Sequence, residues 1–290
     1  MDLWFIERED DTVHMRFRVR QVLHQERSAY QEIVVAELDA MGRALILDDA
    51  IQVTERDAFI YHEMLVHVPL CAHPAPRRVL IIGGGDLGAA FEVARHAEVT
   101  EIDLVELDQR VVEVSAEHFS WARQVLRDPR LRIRFQDGAR FVGQPGPPYD
   151  VILADAPDPV GPAEVLFGEP FYEAVRRRLR PGGVFVTQSG SMWFQPHLWG
   201  RVGRTLARVF GHVHLYLASV PTYSIGPWTF TGASLGPDLR IPQAARAARL
   251  KTRHYSPELH RAAFSLPPFI RERLEREARP EAAPEASAAH

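Results

Sequence analysis

Four consecutive apolar residues, Val79-Leu80-Ile81-Ile82, run directly into Gly83-Gly84-Gly85-Asp86-Leu87-Gly88. A short strand with no polar position is apolar on both faces, so it belongs inside a sheet covered by helices on either side. The glycines that follow permit a tight turn and let backbone approach a ligand closely. The same alternation continues down the chain, with strand-like runs at 102–106, 131–135, 150–154 and 183–188 and helical patterns between them. Such repetition predicts a parallel, doubly wound sheet with right-handed crossovers. Gly182-Gly183 after Pro181 reads as a helix-to-strand turn, and residues 212–219 and 228–233 read as a closing hairpin at one edge.

Upstream the period is different. His14-Met15-Arg16-Phe17-Arg18-Val19-Arg20 alternates apolar and basic side chains, as a half-exposed strand does. Residues 30–38 and 43–47 are two more β-rich runs, with Met41-Gly42 as a turn between them. Over 55–69 the spacing of Phe59, His62 and Val66 places them on one helix face, and Pro69, Pro74 and Pro76 then mark a linker. A chain of 290 residues exceeds what one compact core usually needs. The expected organisation is an N-terminal β-domain with linking helix over 1–70, an α/β domain over 71–278, and a Pro/Ala/Glu-rich, disordered tail over 279–290. There is no internal repeat.

Composition excludes several classes. No apolar run approaches the roughly 20 residues of a membrane helix, and the opening residues lack a secretory hydrophobic segment. Cys71 is the single cysteine, which removes intramolecular disulfides and cysteine-rich metal sites and fits a reducing, cytoplasmic setting. The net charge of −4, with dispersed basic residues, points away from nucleic acid and is compatible with a small cationic substrate. No ligand cluster with metal spacing is apparent in the sequence, so no metal is expected.

Two motifs carry chemistry. Glu106 stands at the end of the second strand, about twenty residues beyond the glycines, where an acidic residue hydrogen-bonds ribose hydroxyls. The glycine run lacks the Lys-Ser/Thr ending of a nucleoside-triphosphate loop. Asp86 within it would repel a pyrophosphate and suits a nucleoside bearing a sulfonium or amine. A tight structural turn with Glu106 as an ordinary strand-end charge is the competing reading. The second motif is Asp155-Ala156-Pro157-Asp158-Pro159-Val160-Gly161-Pro162, after a later strand, where open α/β sheets bind ligands. A carboxylate there can hold an ammonium and accept its proton, since a free amine has a pKa of roughly 10.4. Asx-turn chemistry explains the same residues equally well.

Taken together, these segments resemble the spermidine synthase family. The resemblance rests on Leu47-Asp48-Asp49-Ala50-Ile51-Gln52-Val53-Thr54-Glu55-Arg56-Asp57 through Tyr61-His62-Glu63-Met64, on Gly83-Gly84-Gly85-Asp86, Val105-Glu106-Leu107-Asp108 and Asp137-Gly138, and on Asp155-x-x-Asp158-Pro159-x-Gly161-Pro162-Ala163. Pro221-Thr222-Tyr223 and His260-Arg261-Ala262-Ala263-Phe264-x-Leu266-Pro267 complete it, in the family's order from about Trp4 to about Leu274.

The resemblance implies a Rossmann-type, methyltransferase-like α/β fold with a small N-terminal β-domain, in a homodimer or homotetramer. It implies transfer of the aminopropyl group of decarboxylated S-adenosylmethionine, a co-substrate and not a bound cofactor, to an amine such as putrescine, releasing methylthioadenosine. Gln31, Glu106, Asp137, Gly138 and Pro162 would surround the nucleoside, with Glu106 on the ribose and Asp137 on the adenine amino group. Asp86 would hold the amino end of the aminopropyl chain. Asp155 is the implied general base, with Tyr61 and Tyr223 in the catalytic group. Asp158, His62, Gln52 and Gln188 would line the amine channel with them.

Departures from the family pattern are Leu87 and Asp49 for glycines, Phe91 for an arginine, Ala156 and Pro157 for hydroxyl residues, and Ser224-Ile225-Gly226 for Pro-Ser-Gly. They are expected to cluster at the pocket, where Leu87 would add bulk beside the aminopropyl group and resist positive φ, and to alter acceptor or donor fit. Two other readings of the fold are an S-adenosylmethionine-dependent methyl- or aminocarboxypropyl-transferase, and a non-catalytic polyamine or nucleoside sensor.

Overall fold

The computed structural model describes residues 2–8, 11–159, 161–223 and 226–278, leaving aside the side chains of 161, 162, 277 and 278. The expected tail over 279–290 and the departures at Ser224 and Ile225 lie outside the described residues. Five strands, β1 (Leu3–Arg8), β2 (His14–Arg27), β3 (Glu32–Leu38), β4 (Gly42–Leu47) and β5 (Ala50–Thr54), form an antiparallel sheet in sequence order. Strands β1 and β5 were not visible in the alternation pattern, and β2 continues seven residues beyond Arg20.

The β4–β5 hairpin turns through Asp48 and Asp49, with Leu47 paired to Ala50. Both turn residues have positive φ, +44° and +65°. A two-residue hairpin turn of this hand matches the twist of its strands, and Asp tolerates the left-handed region better than most residues.

Helix α1 (Ala58–Ala72) then buries 13 of its 15 residues, so the one-face pattern read from Phe59, His62 and Val66 understates it. Pro69 lies inside α1 and does not begin the linker. It removes one amide donor near the helix end, while its own carbonyl accepts the amide of His73 in the closing turn.

The second sheet has seven strands in the order β11-β12-β10-β9-β6-β7-β8. Its members are β6 (Arg78–Gly83), β7 (Glu101–Glu106), β8 (Leu131–Phe135), β9 (Tyr149–Asp155), β10 (Leu179–Ser191), β11 (His212–Ala218) and β12 (Trp228–Ser234). The five from β8 to β10 are mutually parallel and the β11–β12 hairpin closes one edge antiparallel, as the sequence suggested. Strand β10 begins earlier than expected. The Pro181-Gly182-Gly183 stretch is an irregularity within it, with Gly182 at φ +80°, because the pairing to β9 resumes at Val184.

Alternation along β6 explains its wholly apolar sequence. Val79 and Ile81 enter a core shared with α1, α2 (Gly88–Ala94), α3 (Gln109–His118) and α4 (Ser120–Val125). Leu80 and Ile82 enter the opposite core with α5 (Gly138–Gly143), α6 (Glu169–Arg178) and α7 (Pro196–Phe210). Ile33, Val35, Leu45 and Val53 of the first sheet join the former core, which fixes the β-domain against the larger one.

Leu87 corrects an expectation. It adopts φ +65° and is fully buried among the core side chains, outside the pocket wall. Left-handed backbone costs a residue of this kind about 1–2 kcal/mol, and burial of its side chain returns about 1.5–3 kcal/mol. Phe91 likewise packs on the core under the Arg95 guanidinium, away from the pocket.

Candidate active site

Strand order determines where a ligand can sit. The chain moves from β6 outward through β7 and β8, then returns to place β9 on the other side of β6. The loops after β6 and β9 therefore diverge and leave a crevice at the carboxyl ends of the strands. Gly83 is paired with Asp155, and the amide of Gly84 donates to the Asp155 carbonyl at 2.8 Å. A Cβ at Gly83 would lie 2.2 Å from that oxygen, so glycine is required for the two loops to meet.

Above this crevice is a cavity of about 970 Å³. Gln31, Gln52, Tyr61, His62, Asp86, Glu106, Asp137, Gly138, Asp155, Asp158, Gln188 and Tyr223 all line it. The side chain of Pro162 lies outside the described residues.

At one end the acidic residues are tied to backbone. Glu106 Oε1 accepts the amides of Leu107 at 2.7 Å and Asp108 at 3.0 Å. Burial nevertheless pushes its carboxyl up to about 7, against those two donors. Asp137 caps α5 by accepting the Arg140 amide at 2.8 Å. Asp108 caps α3 and also receives Ser28 Oγ at 2.6 Å and Gln31 Nε2 at 3.0 Å, joining the segment between β2 and β3 to the start of α3.

At the other end side chains face side chains. Asp86 Oδ1 accepts the Gly88 amide at 2.8 Å, and its Oδ2 lies 3.1 Å from His62 Nε2. Burial alone would neutralise both. The attraction between them prevails, raising the His62 imidazolium to about 9 and holding the Asp86 carboxyl below its ordinary value. Tyr61 Oη donates to Asp155 Oδ1 at 2.8 Å. Asp155 Oδ2 is buried with no hydrogen-bond partner among the described residues. Burial and then the Asp86 charge push the Asp155 carboxyl up to about 6. A basic oxygen that has lost its water and gained no donor is poised to take a proton from whatever fills the space beside it.

Asp158 is also raised by burial, against hydrogen bonds from Gln195 and Gln188. Gln188 in turn is fixed by Ala156 O at 3.1 Å and the Gly190 amide at 2.7 Å. Tyr223 stacks edge-on to Tyr61 at 5.5 Å, and its hydroxyl donates to the Gln52 carbonyl and not to either reactive carboxylate. Gln52 bonds its own side-chain amide to Ala50 O at 3.2 Å. Of the family departures, Asp49, Ala156 and Pro157 do line the cavity.

Sequence reasoning missed Glu7 and Gln195, which also line the wall. Glu7 Oε1 accepts the Ile51 amide at 2.7 Å, a contact across β1 and β5 that no local pattern announces. Gln195 looks like an ordinary residue before the helix-opening Pro196.

Residues 58–239 match the family described as the spermine/spermidine synthase domain, and residues 3–55 match the spermidine synthase tetramerisation domain. The chain belongs to the spermine/spermidine synthase family. It is 44% identical over 273 residues to the polyamine aminopropyltransferase of Moorella thermoacetica, covering 94% of this chain and 96% of that one. It is 38% identical over 274 residues to the corresponding protein of Shouchella clausii, covering 94% and 100%. Among solved structures it resembles a spermidine synthase bound to the transition state analogue AdoDATO, with a TM-score of 0.92, 33% identity and 94% and 95% coverage. The spermidine synthase of Thermotoga maritima gives 0.88, with 32% identity and 94% of each chain covered. The chain is therefore an aminopropyltransferase of the polyamine class, and the tetramerisation match supports an oligomeric enzyme. Among the described residues no helix is long and apolar enough to cross a membrane.

Proposed function

We propose that this enzyme transfers the aminopropyl group of decarboxylated S-adenosylmethionine to a primary amine of putrescine or a close analogue, in the cytoplasm. The observation that carries the reading is the Asp155 carboxylate, buried, held by Tyr61 and left with one oxygen free beside the Asp86–His62 pair. In this reading Glu106 accepts the ribose hydroxyls, Gln31, Asp137, Gly138 and Pro162 enclose the nucleoside, and Asp137 meets the adenine amino group. Asp86 holds the ammonium of the aminopropyl chain. Asp158, His62, Gln52, Gln188 and Tyr223 line the acceptor channel.

Reaction is a single displacement. The acceptor nitrogen's lone pair attacks the carbon bound to the sulfonium, and the C–S electrons return to sulfur to give the neutral thioether methylthioadenosine. Asp155 takes the acceptor's ammonium proton, so that the lone pair exists when the two reactants meet. Alignment of the pair can supply on the order of 7–11 kcal/mol. A donor that kept its carboxylate would bring like charge against buried Asp86, which disfavours an intact S-adenosylmethionine donor.

Two measurements test the base. Asp155→Asn is expected to lower kcat by about 10²–10⁴-fold, the range for loss of a general base. Because Asp155 is raised to about 6, its basic form is present above that value, so wild-type kcat should fall as pH drops through 6. Retention of full turnover in the asparagine variant would remove Asp155 from this role.

A further inference from the structure

Among the described residues, one other group of metal-ligating side chains converges beyond the transfer site. A ring nitrogen of His24, a ring nitrogen of His118 and a carboxylate oxygen of Glu117 all lie within 4.8 Å of one another. His24 belongs to β2 and the other two lie at or beside the end of α3, so the group spans the seam between the two sheets' domains. Tetrahedral ligand atoms around a zinc ion sit about 3.4 Å apart, given Zn–N distances of about 2.0–2.1 Å. The bound of 4.8 Å is wider than this spacing, and Glu117 is solvent-exposed.

Charged side chains surround the group: Glu26 Oε2 lies 3.3 Å from His24 Nε2, and Glu26 is itself clamped by Arg110 through two bonds of 2.8 and 2.9 Å. Arg43, which donates to the His118 carbonyl at 2.7 Å, and Arg123 add positive charge, against which Glu26 and Glu117 supply two carboxylates.

We propose that His24, Glu117 and His118 bind a divalent transition-metal ion of the zinc class, clamping β2 to the end of α3. Two imidazoles and a carboxylate are a donor set that zinc accepts, with water completing the tetrahedron. The expectation of no metal came from spacing along the chain, and His24 stands far from Glu117-His118 in sequence, so no local motif exists to be read. The clamp has a consequence for the nucleoside pocket. Helix α3 starts at the Asp108 cap that holds Gln31, so a metal at its far end fixes the same helix from the other side.

The test uses the full chain, stripped with EDTA and titrated with zinc chloride near neutral pH by calorimetry and elemental analysis, with Tm read in parallel. One ion per chain, accompanied by a rise in Tm, is expected. His118→Ala should abolish both, and His24→Asn should do the same. Zinc-free turnover of the two variants should match wild type. Zinc binding that survives both histidine variants, or that is lost in His62→Gln instead because the ion sits between His62, Asp86 and Asp155, would overturn the proposal.

Discussion

The two ends of the cavity use the same residue type in opposite ways. At the end proposed for the nucleoside, Glu106 and Asp137 accept backbone amides at a strand end and a helix cap, and Asp108 caps α3 while its other oxygen accepts Ser28 Oγ and Gln31 Nε2 from the first sheet. At the end proposed for the amine, Asp86, Asp155 and Asp158 meet His62, Tyr61, Gln188 and Gln195, side chains delivered from distant elements, and Asp86 keeps one backbone bond from Gly88. The first arrangement makes a rigid, preformed cradle that loses little on ligand binding. The second brings Asp86, Asp155 and the His62 imidazolium together, where the proton position of each depends on the others. A cation arriving there meets charge already compensated in part by His62, so selectivity resides in how the newcomer re-partners those groups.

Substitutions should separate the two ends. The largest contrast is expected between Glu106→Gln and Asp158→Asn. The former should weaken methylthioadenosine binding by about 10–100-fold, the loss of a charge-assisted bond of about 1.5–3 kcal/mol, with little change in acceptor KM. Asp158→Asn should raise acceptor KM and leave nucleoside affinity alone. Calorimetry with methylthioadenosine, beside steady-state kinetics, reads both, and equal effects on both ligands would break the comparison. The Glu106 carboxyl is raised to about 7, so its ionised form is present above that pH. Wild-type nucleoside affinity should therefore increase through pH 7, and the glutamine variant should lose this dependence.

A smaller effect concerns the turn between the ends. Leu87 is buried in the core with left-handed backbone, so Leu87→Ala should destabilise by about 2–5 kcal/mol in urea unfolding. Leu87→Gly removes the backbone strain along with the side chain and should be the less damaging variant by about 1 kcal/mol, reversing the usual order of the two residues. Donor KM should be unchanged in both, because Leu87 does not line the cavity. Asp49→Gly is the mildest, expected to shift stability by no more than about 0.5 kcal/mol, because Asp already tolerates this left-handed turn and glycine adds freedom to the unfolded chain.

What the sequence made legible divides along the same line. The apolar β6, the glycine turn and Glu106 at the end of β7 are local patterns whose physics is complete within a few residues. They predicted the parallel sheet and the crevice. The antiparallel sheet is legible only in part, because the consecutive apolar residues of β1, Leu3-Trp4-Phe5-Ile6, carry no apolar/polar alternation in sequence and β5 is only five residues long. At the amine end, Tyr61 meets Asp155 across 94 residues of chain, and only resemblance to a known family joined them beforehand. Leu87 and Phe91 show the limit of that resemblance. A departure beside a motif was read as a departure in the pocket, whereas the αL geometry turns the Leu87 side chain inward to the core.

The central claim is most directly tested by a turnover assay with mass-spectrometric detection. Purified enzyme is given decarboxylated S-adenosylmethionine or intact S-adenosylmethionine against putrescine, agmatine, cadaverine and spermidine. The account predicts methylthioadenosine and an amine heavier by one aminopropyl unit, from the decarboxylated donor alone. No product from that donor with any of these amines, or equal product from the intact donor, would contradict it.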